Sequence, residues 1–289
     1  MIVLITGGLG FLGRHIVDRL FANTAVGEII IVDNQDPICG SDDNHNIRFC
    51  VGGDVSSYKS IADIIEKYQV THVIHLAAYG RNLSCESFPL QAWQTNVMGT
   101  INILEAARLN NVKRVVCCSS NIVLCPDQTI YKSTKQALEL AVLSYQRYGL
   151  SVQGLRPCNI YGVGQSKTEY QMCSFAALDA YYKEHGCFKI DGDGTQTRDW
   201  VHAQDVAGAF IDTLFSNITT EALDIATGHL TSMNEVATML GVPVVYGPRR
   251  IGDAMTIISN PQLTKRVLGW EYSIELKDRI WDAFPSVKR

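Results

Sequence analysis

The chain has 289 residues, 46% of them hydrophobic and 19% charged, with a net charge of −4. This is an ordinary globular balance, with apolar material for one large unit and a smaller one. It offers no basic field for nucleic acid, no apolar run long enough to span a bilayer and no signal-peptide start, so a cytoplasmic protein is expected.

Ile2–Thr6 reads as a buried strand and Phe11–Phe21 as a helix, with "TGGLGFLG" between them. Strand-like runs follow at Glu28–Asp33 and Ile47–Val51, a helix at Tyr58–Tyr68 and a strand at Thr71–Leu76. Leu90–Arg108 reads as a longer helix, Arg114–Cys118 as a strand, Tyr131–Tyr148 as a helix and Ser151–Leu155 as a strand. Strands that are apolar throughout and alternate with helices predict a doubly wound α/β fold, a Rossmann-type parallel sheet covered on both faces. After Arg156 the pattern is less regular, with a helix at Ala203–Phe215 and short elements ending in Ile274–Ala283. The expected division is a cofactor-binding domain of residues 1–167 and 198–217, and a smaller substrate-binding domain of residues 168–197 and 218–289.

Nine cysteines are scattered along the chain: Cys39, Cys50, Cys85, Cys117, Cys118, Cys125, Cys158, Cys173 and Cys187. Their odd number, and the absence of any C-x-x-C, predict reduced thiols rather than disulfides or a metal site.

Gly7, Gly10 and Gly13 follow G-x-x-G-x-x-G. The first glycine allows a tight turn, the second lets a pyrophosphate approach the backbone, and the third lets helix pack on strand. The helix start then offers free N–H groups to the phosphates. A glycine turn alone serves equally as a plain tight turn. Asp33 ends the second strand, 20 residues past Gly13. There a carboxylate can accept both ribose hydroxyls and repel a 2′-phosphate, which favours NAD over NADP. Alone, beside Asn34, it would pass for a solvated turn residue. Strand, glycines, helix, strand and acid in succession favour dinucleotide binding.

"YKSTK" sets Tyr131 and Lys135 on one helix face. An ammonium beside a phenol favours the phenolate and makes it a general acid/base for an alcohol losing hydride. Ser120, closing the preceding strand, could hydrogen-bond the same oxygen. Taken singly, a Tyr–Lys pair is ordinary helix decoration.

Together these motifs resemble the extended short-chain dehydrogenase/reductase family, and within it the nucleotide-sugar branch of the UDP-galactose 4-epimerase type. The resemblance rests on "TGGLGFLG", "VDN" (Val32–Asn34), "GDV" (Gly53–Val55), "HLAA" (His75–Ala78) and "NVMGTINILEAAR" (Asn96–Arg108). It continues through Ser119–Ser120, "YKSTK", "LRPCNIYG" (Leu155–Gly162), "GDGTQTRDWVHAQDVA" (Gly192–Ala207) and "LGW" (Leu268–Trp270). It implies NAD held by Gly7, Gly10, Phe11, Leu12, Gly13, Asp33, Asn34, Asp54, Val55, Leu76, Ala77, Ala78 and Asn96, with Tyr131 and Lys135 also at the cofactor. Catalysis would fall to Ser120, Tyr131 and Lys135. Asn159, Arg198 and Arg250 would hold a nucleotide-sugar diphosphate together with Ser120 at the sugar, the guanidinium forks suiting phosphate oxygens. His75 and His202 are expected to be structural.

The implied activity is NAD-dependent 4-epimerisation of a UDP-hexose by transient oxidation at C4. The alternatives are a 4-keto-sugar reductase and a redox-inactive dinucleotide-binding regulator. The family usually shows S-x-x-V-Y-G and a sizeable loop before the tyrosine. Here Leu124 and Cys125 stand for the Tyr and Gly, and Ser120 and Tyr131 are 11 residues apart. That predicts a more open site. Asn121 and Ile122 replace the acidic pair of related dehydratases, which disfavours elimination. A homodimer is expected, paired through Val97, Ile101 and Leu104 on one helix and Leu138, Val142 and Tyr145 on another.

Overall fold

The computed structural model describes residues 1–34, 47–51, 53–165, 174–249 and 254–288. The first half alternates strand and helix: β1 (Ile2–Thr6), α1 (Phe11–Phe21), β2 (Glu28–Asp33), β3 (Ile47–Val51), α2 (Tyr58–Lys67) and β4 (His72–His75). Next come α3 (Asn82–Ser87), α4 (Pro89–Trp93), a π-helical turn at Gln94–Met98, α5 (Gly99–Leu109) and β5 (Arg114–Cys118). A 3-10 turn at Asn121–Leu124 leads to α6 (Ile130–Arg147), β6 (Val152–Pro157) and β7 (Asn159–Tyr161). The second half adds α7 (Ser174–His185), β8 (Phe188–Asp191), β9 (Thr197–His202), α8 (Ala203–Phe215) and β10 (Leu223–Ile225). It ends with β11 (Leu230–Ser232), α9 (Met233–Leu240), β12 (Val244–Gly247), α10 (Gln262–Leu268) and α11 (Leu276–Arg279).

Seven strands form one parallel sheet in the order β3-β2-β1-β4-β5-β6-β10. Alternate residues of each strand enter opposite layers, as the pleat requires. Val3, Ile5, Ile29 and Ile31 pack with Ile16 and Leu20 of α1 and Val206 and Phe210 of α8. Leu4, Ile30 and Val32 pack with Ile61 and Ile65 of α2, Ile103 and Leu104 of α5, and Leu138 and Val142 of α6. Both faces are therefore dry, which is why these strands are continuously apolar. The chain runs outward from β1 to β3, then returns to β4 and runs the other way. The carboxyl ends of β1 and β4 thus form a topological switch point, where such sheets bind ligands.

The last strand of the sheet, β10, comes from residues beyond the 198–217 segment that the sequence assigns to the cofactor half. A smaller layer combines a three-stranded sheet, β11-β9-β7, with the parallel pair β12-β8. Its own core gathers Tyr161, Phe175, Phe188, Trp200, Val236 and Phe284, with Phe175 stacked on Trp200 at 3.7 Å between ring centres.

The expected single helix Leu90–Arg108 begins one residue earlier, at Pro89, a residue suited to a first helical position. It is also interrupted by the π-helical turn, which carries the buried Asn96. Such turns insert one extra residue per turn and are enriched at functional sites. Leu104, Leu138 and Val142, expected at a dimer face, are buried inside the subunit. The apolar periodicity of α5 and α6 is satisfied by the sheet, and different residues, Leu140 and Leu143, reach the surface of α6.

Candidate active site

The glycine turn abuts the end of β4. Gly7 has φ +73°, and its N–H donates to the Val32 carbonyl at 2.8 Å. A Cβ there would stand 2.9 Å from the Ala77 nitrogen, and one at Gly13 would stand 2.7 Å from the Gly8 Cα. Neither position has room for a side chain. Gly10 precedes α1 without a side-chain cap, and the first intrahelical bond is Arg14 N–H to the Gly10 carbonyl. The N–H groups of Phe11, Leu12 and Gly13 therefore have no helical acceptor and form an anion seat with the helix dipole behind it.

Asp33 ends β2 with its side chain buried, and Oδ2 accepts the Leu9 N–H at 2.9 Å. The same carboxylate thus ties the glycine turn to the second strand, and exposed Asn34 follows it. Asp54 turns its oxygens back onto Ser56, accepting its N–H at 2.8 Å and its O–H at 2.7 Å. Val55 beneath it is buried, its carbonyl held by the Asn102 amide at 2.9 Å. At the end of β4, Leu76 N–H bonds the Thr6 carbonyl and Ala77 N–H bonds the Thr6 hydroxyl, at 3.0 and 3.3 Å. Ala78 continues this partly exposed edge.

A buried polar chain supports that edge. The Thr6 hydroxyl meets His75 Nδ1 at 2.7 Å, and Nε2 meets the Thr100 hydroxyl at 3.2 Å. Burial, and then the Lys135 charge, push the His75 imidazolium pKa down to about 3. Asn96 donates to the Tyr79 carbonyl and the Thr134 hydroxyl and accepts the Tyr79 N–H. Both of its N–H donors are thereby engaged within the protein, so it braces the loop after β4. Sequence spacing gave no sign of this role.

The catalytic candidates gather at the carboxyl end of β5. Ser120 caps the 3-10 turn, its Oγ accepting the Ile122 N–H at 3.3 Å and keeping its own proton to donate. Thr129 caps α6 and so fixes the first turn that presents Tyr131. Tyr131 is partly exposed, and its hydroxyl makes no hydrogen bond among the described residues. Lys135 is buried, with Nζ on the Cys118 carbonyl at 2.7 Å and 5.9 Å from the Tyr131 ring centre.

Behind them lies an ion network that the motif reading missed. Ser119 donates to Glu139, and Glu139 takes a two-pronged contact from Arg156 at 2.7 Å on each oxygen. Arg156 also reaches Asp224 at 3.5 Å. Glu139 lies four residues after Lys135 and eight after Tyr131, so the helical period placed it on their face. The hydrogen bonds it donates to Glu139 raise the Arg156 pKa, while burial raises that of Asp224. The neighbouring thiols are held protonated: burial pushes Cys117 up to about 12 and raises Cys118 and Cys158.

On the substrate side Asn159 opens β7 opposite Trp200 of β9, and Arg198 lies two residues earlier on β9. Arg198 donates to the carbonyls of Thr197 and Met255, at 2.7 and 3.3 Å. Beside it a cavity of about 250 Å³ is lined by Asp191, Gly192, Asp193, Gln196, Arg249 and Met255. Arg250 lies outside the described residues. His202 has both ring nitrogens engaged, by Asp282 at 3.2 Å and by the Gln204 N–H at 3.2 Å, in keeping with a structural role. The short segment after Ser120 does not leave its flank bare, because Ile122 and Cys125 pack on Ala254 and Ile257.

A profile of the NAD dependent epimerase/dehydratase family matches residues 3–217. A Methanocaldococcus jannaschii protein, provisionally named UDP-glucose 4-epimerase, is 32% identical over 96% of this chain and 95% of its own length. Among solved structures, the UDP-glucose 4-epimerase of Thermotoga maritima with UDP-glucose superposes with a TM-score of 0.87 at 26% identity, covering 99% of this chain and 98% of that one. MoeE5 in complex with UDP-glucose and NAD superposes with a TM-score of 0.85 at 28% identity, with coverage of 99% and 98%.

Proposed function

Since the chain belongs to the NAD dependent epimerase/dehydratase family, we propose that it is an NAD-dependent nucleotide-sugar 4-epimerase acting on UDP-hexoses. The observation that carries the reading is the placement of Ser120, Tyr131 and Lys135 together at the carboxyl end of β5, next but one to the glycine cradle in the sheet. The cradle fits NAD. Side chains are excluded at Gly7 and Gly13, the first-turn N–H groups of α1 have no helical acceptor, and Asp33, bound to the Leu9 N–H, would meet the ribose.

When bound, NAD supplies a hydride acceptor that later gives the hydride back. Tyr131 takes the proton of the C4 hydroxyl and returns it at the end of the cycle, acting as general base and then general acid. Ser120 donates its hydroxyl proton to the same oxygen. Lys135, held by the Cys118 carbonyl, keeps a positive charge beside the phenol. Asn159 and Arg198 hold the diphosphate while the 4-keto sugar turns over. Asn121 and Ile122 supply no acid beside Ser120, so elimination lacks a proton donor there.

Residues 1–167 with 198–217 make up the cofactor half in this reading, joined by β10, and the remainder makes up the substrate half. The chain pairs as a homodimer through the exposed apolar residues Leu90 and Trp93, with Leu140 and Leu143 of α6. Free cysteines suit a reducing, cytoplasmic setting. The test is proton NMR of the protein with UDP-glucose and no added reductant. Appearance of the galacto anomeric signal supports the epimerase. An inert UDP-glucose, with stoichiometric oxidation of added NADH by a UDP-4-keto-hexose, would replace it with a 4-keto-sugar reductase. NAD binding without any turnover would leave a regulator.

A further inference from the structure

The first turn of α6 carries a second lysine that the mechanism above does not use. Lys132 is only 7% exposed, although it is the immediate neighbour of Tyr131. Its backbone N–H is bound by the Thr129 hydroxyl at 3.1 Å, and its ammonium donates to the Cys125 carbonyl. Among the described residues no carboxylate pairs with that ammonium. Burying an ammonium is costly, and an unbranched apolar side chain would fill the same space without that cost. The hydrogen bond therefore points to a use.

Cys125 ends the 3-10 turn that Ser120 begins. Its N–H donates to the Ile122 carbonyl at 3.0 Å, and the Ile122 N–H donates to Ser120 Oγ at 3.3 Å. The lysine thus ties the end of the serine's turn to the residue beside the tyrosine. Thr129, between them, also donates to Asn82 at 3.0 Å, which fixes the loop against α3. Only ten residues lie between Ser120 and Tyr131, too short a stretch to build a wall of its own.

We propose that Lys132 is a positioning residue. Its bond to the Cys125 carbonyl holds Ser120 in register with Tyr131 across the short segment that joins them. It touches neither substrate nor cofactor and acts through the serine turn. The kinetic part of the proposal rests on the epimerase reading; the structural part does not.

The test compares Lys132→Met, which keeps the length and removes the donor, with Lys132→Arg, which keeps a charged donor. In NAD-loaded protein, K132M is expected to lower kcat for UDP-hexose epimerisation by roughly tenfold to a hundredfold, with KM and bound NAD within about twofold of wild type. K132R recovers most of the rate. Alkylation of Cys125 by iodoacetamide, followed by peptide mass spectrometry, is expected to accelerate about tenfold in K132M while buried Cys117 stays unreactive. Wild-type kcat in K132M overturns the proposal. So does a parallel loss of kcat, KM and NAD, which would mark general loosening, and so does Cys125 alkylation no faster than in wild type. If the wild-type protein turns over no UDP-hexose, the epimerase reading fails, and Cys125 alkylation alone decides whether Lys132 braces the turn.

Discussion

Replacing His75 with Gln should flatten the acid side of the stability curve. In the folded protein this imidazole is fully enclosed between Thr6 and Thr100, and burial pushes its pKa down to about 3. In the unfolded chain the same group titrates near its ordinary value of about 6.5. Between these two values the unfolded state holds more protons, so stability falls as the pH falls. From pH 7 to pH 5 the group traverses about one and a half units of that window, at about 1.4 kcal/mol per unit, which is about 2 kcal/mol. His72, also lowered, to about 4, adds to the wild-type slope. The comparison of wild type with His75→Gln removes His72 and every carboxylate from the difference. Urea unfolding of NAD-loaded protein at pH 5, 6 and 7 gives the numbers. The readout is the change with pH, since the substitution also alters the hydrogen bonds at every pH. If the variant loses as much stability between pH 7 and pH 5 as wild type, His75 is protonated in the folded protein and the reasoning fails.

Tyr131→Phe removes the proton carrier and leaves the ring, so NAD should stay bound while turnover falls by about 10²–10⁴-fold; the assay is NMR conversion together with released-cofactor absorbance. Gly13→Ala would ordinarily stabilise a helix by about 1 kcal/mol. Here its Cβ meets Gly8 Cα at 2.7 Å, so both the melting temperature and NAD retention should drop. Glu139→Gln leaves the partly buried Arg156 with Asp224 at 3.5 Å as its remaining carboxylate, and should cost about 1–3 kcal/mol in urea unfolding, the range for losing a charged hydrogen bond. Leu140→Arg, on an exposed face of α6, should convert a dimer to a folded monomer in light scattering at micromolar concentration.

Much of the cofactor half is legible because its signals are local. The runs Ile2–Ile5 and Ile29–Val32 are apolar throughout because both faces of the sheet are covered. Gly7 and Gly13 are required by backbone-to-backbone approach, which a spacing rule captures. Tyr131 and Lys135 are one helical turn apart, and the period alone sets them side by side. What escapes is whatever depends on which neighbour covers a surface. An apolar stripe on α6 says that something covers it, yet not that the sheet takes Leu138 and Val142 while Leu140 and Leu143 face outward. Lys132 is as hard to foresee, because lysine is ordinarily exposed and its acceptor is a main-chain carbonyl with no residue signature. The Glu139–Arg156–Asp224 network joins a helix to two strands distant in sequence, and only β-strand pairing brings its members together.

That pairing also bears on how a sugar could turn over while its nucleotide stays put. β6 pairs directly with β5, with Leu155 opposite Cys118, two residues from Ser120. Two residues beyond the end of β6, Asn159 opens β7, which pairs in turn with the Arg198 strand. The path from the candidate catalytic serine to the diphosphate candidates therefore runs through paired strands. Asp199 reinforces it from the far side, binding the Thr227 and Gly228 N–H groups at 3.0 and 2.7 Å. A rigid anchor of this kind restricts the motion of a bound nucleotide-sugar to rotation about the bonds linking sugar to diphosphate. In the proposed reaction that rotation would turn the opposite face of a 4-keto sugar toward the side from which hydride returns, with the C4 oxygen again near Tyr131. With a ligand held by Asn159 and Arg198 as proposed, the cluster of Ile122, Cys125, Ala254 and Ile257 would have only to exclude water.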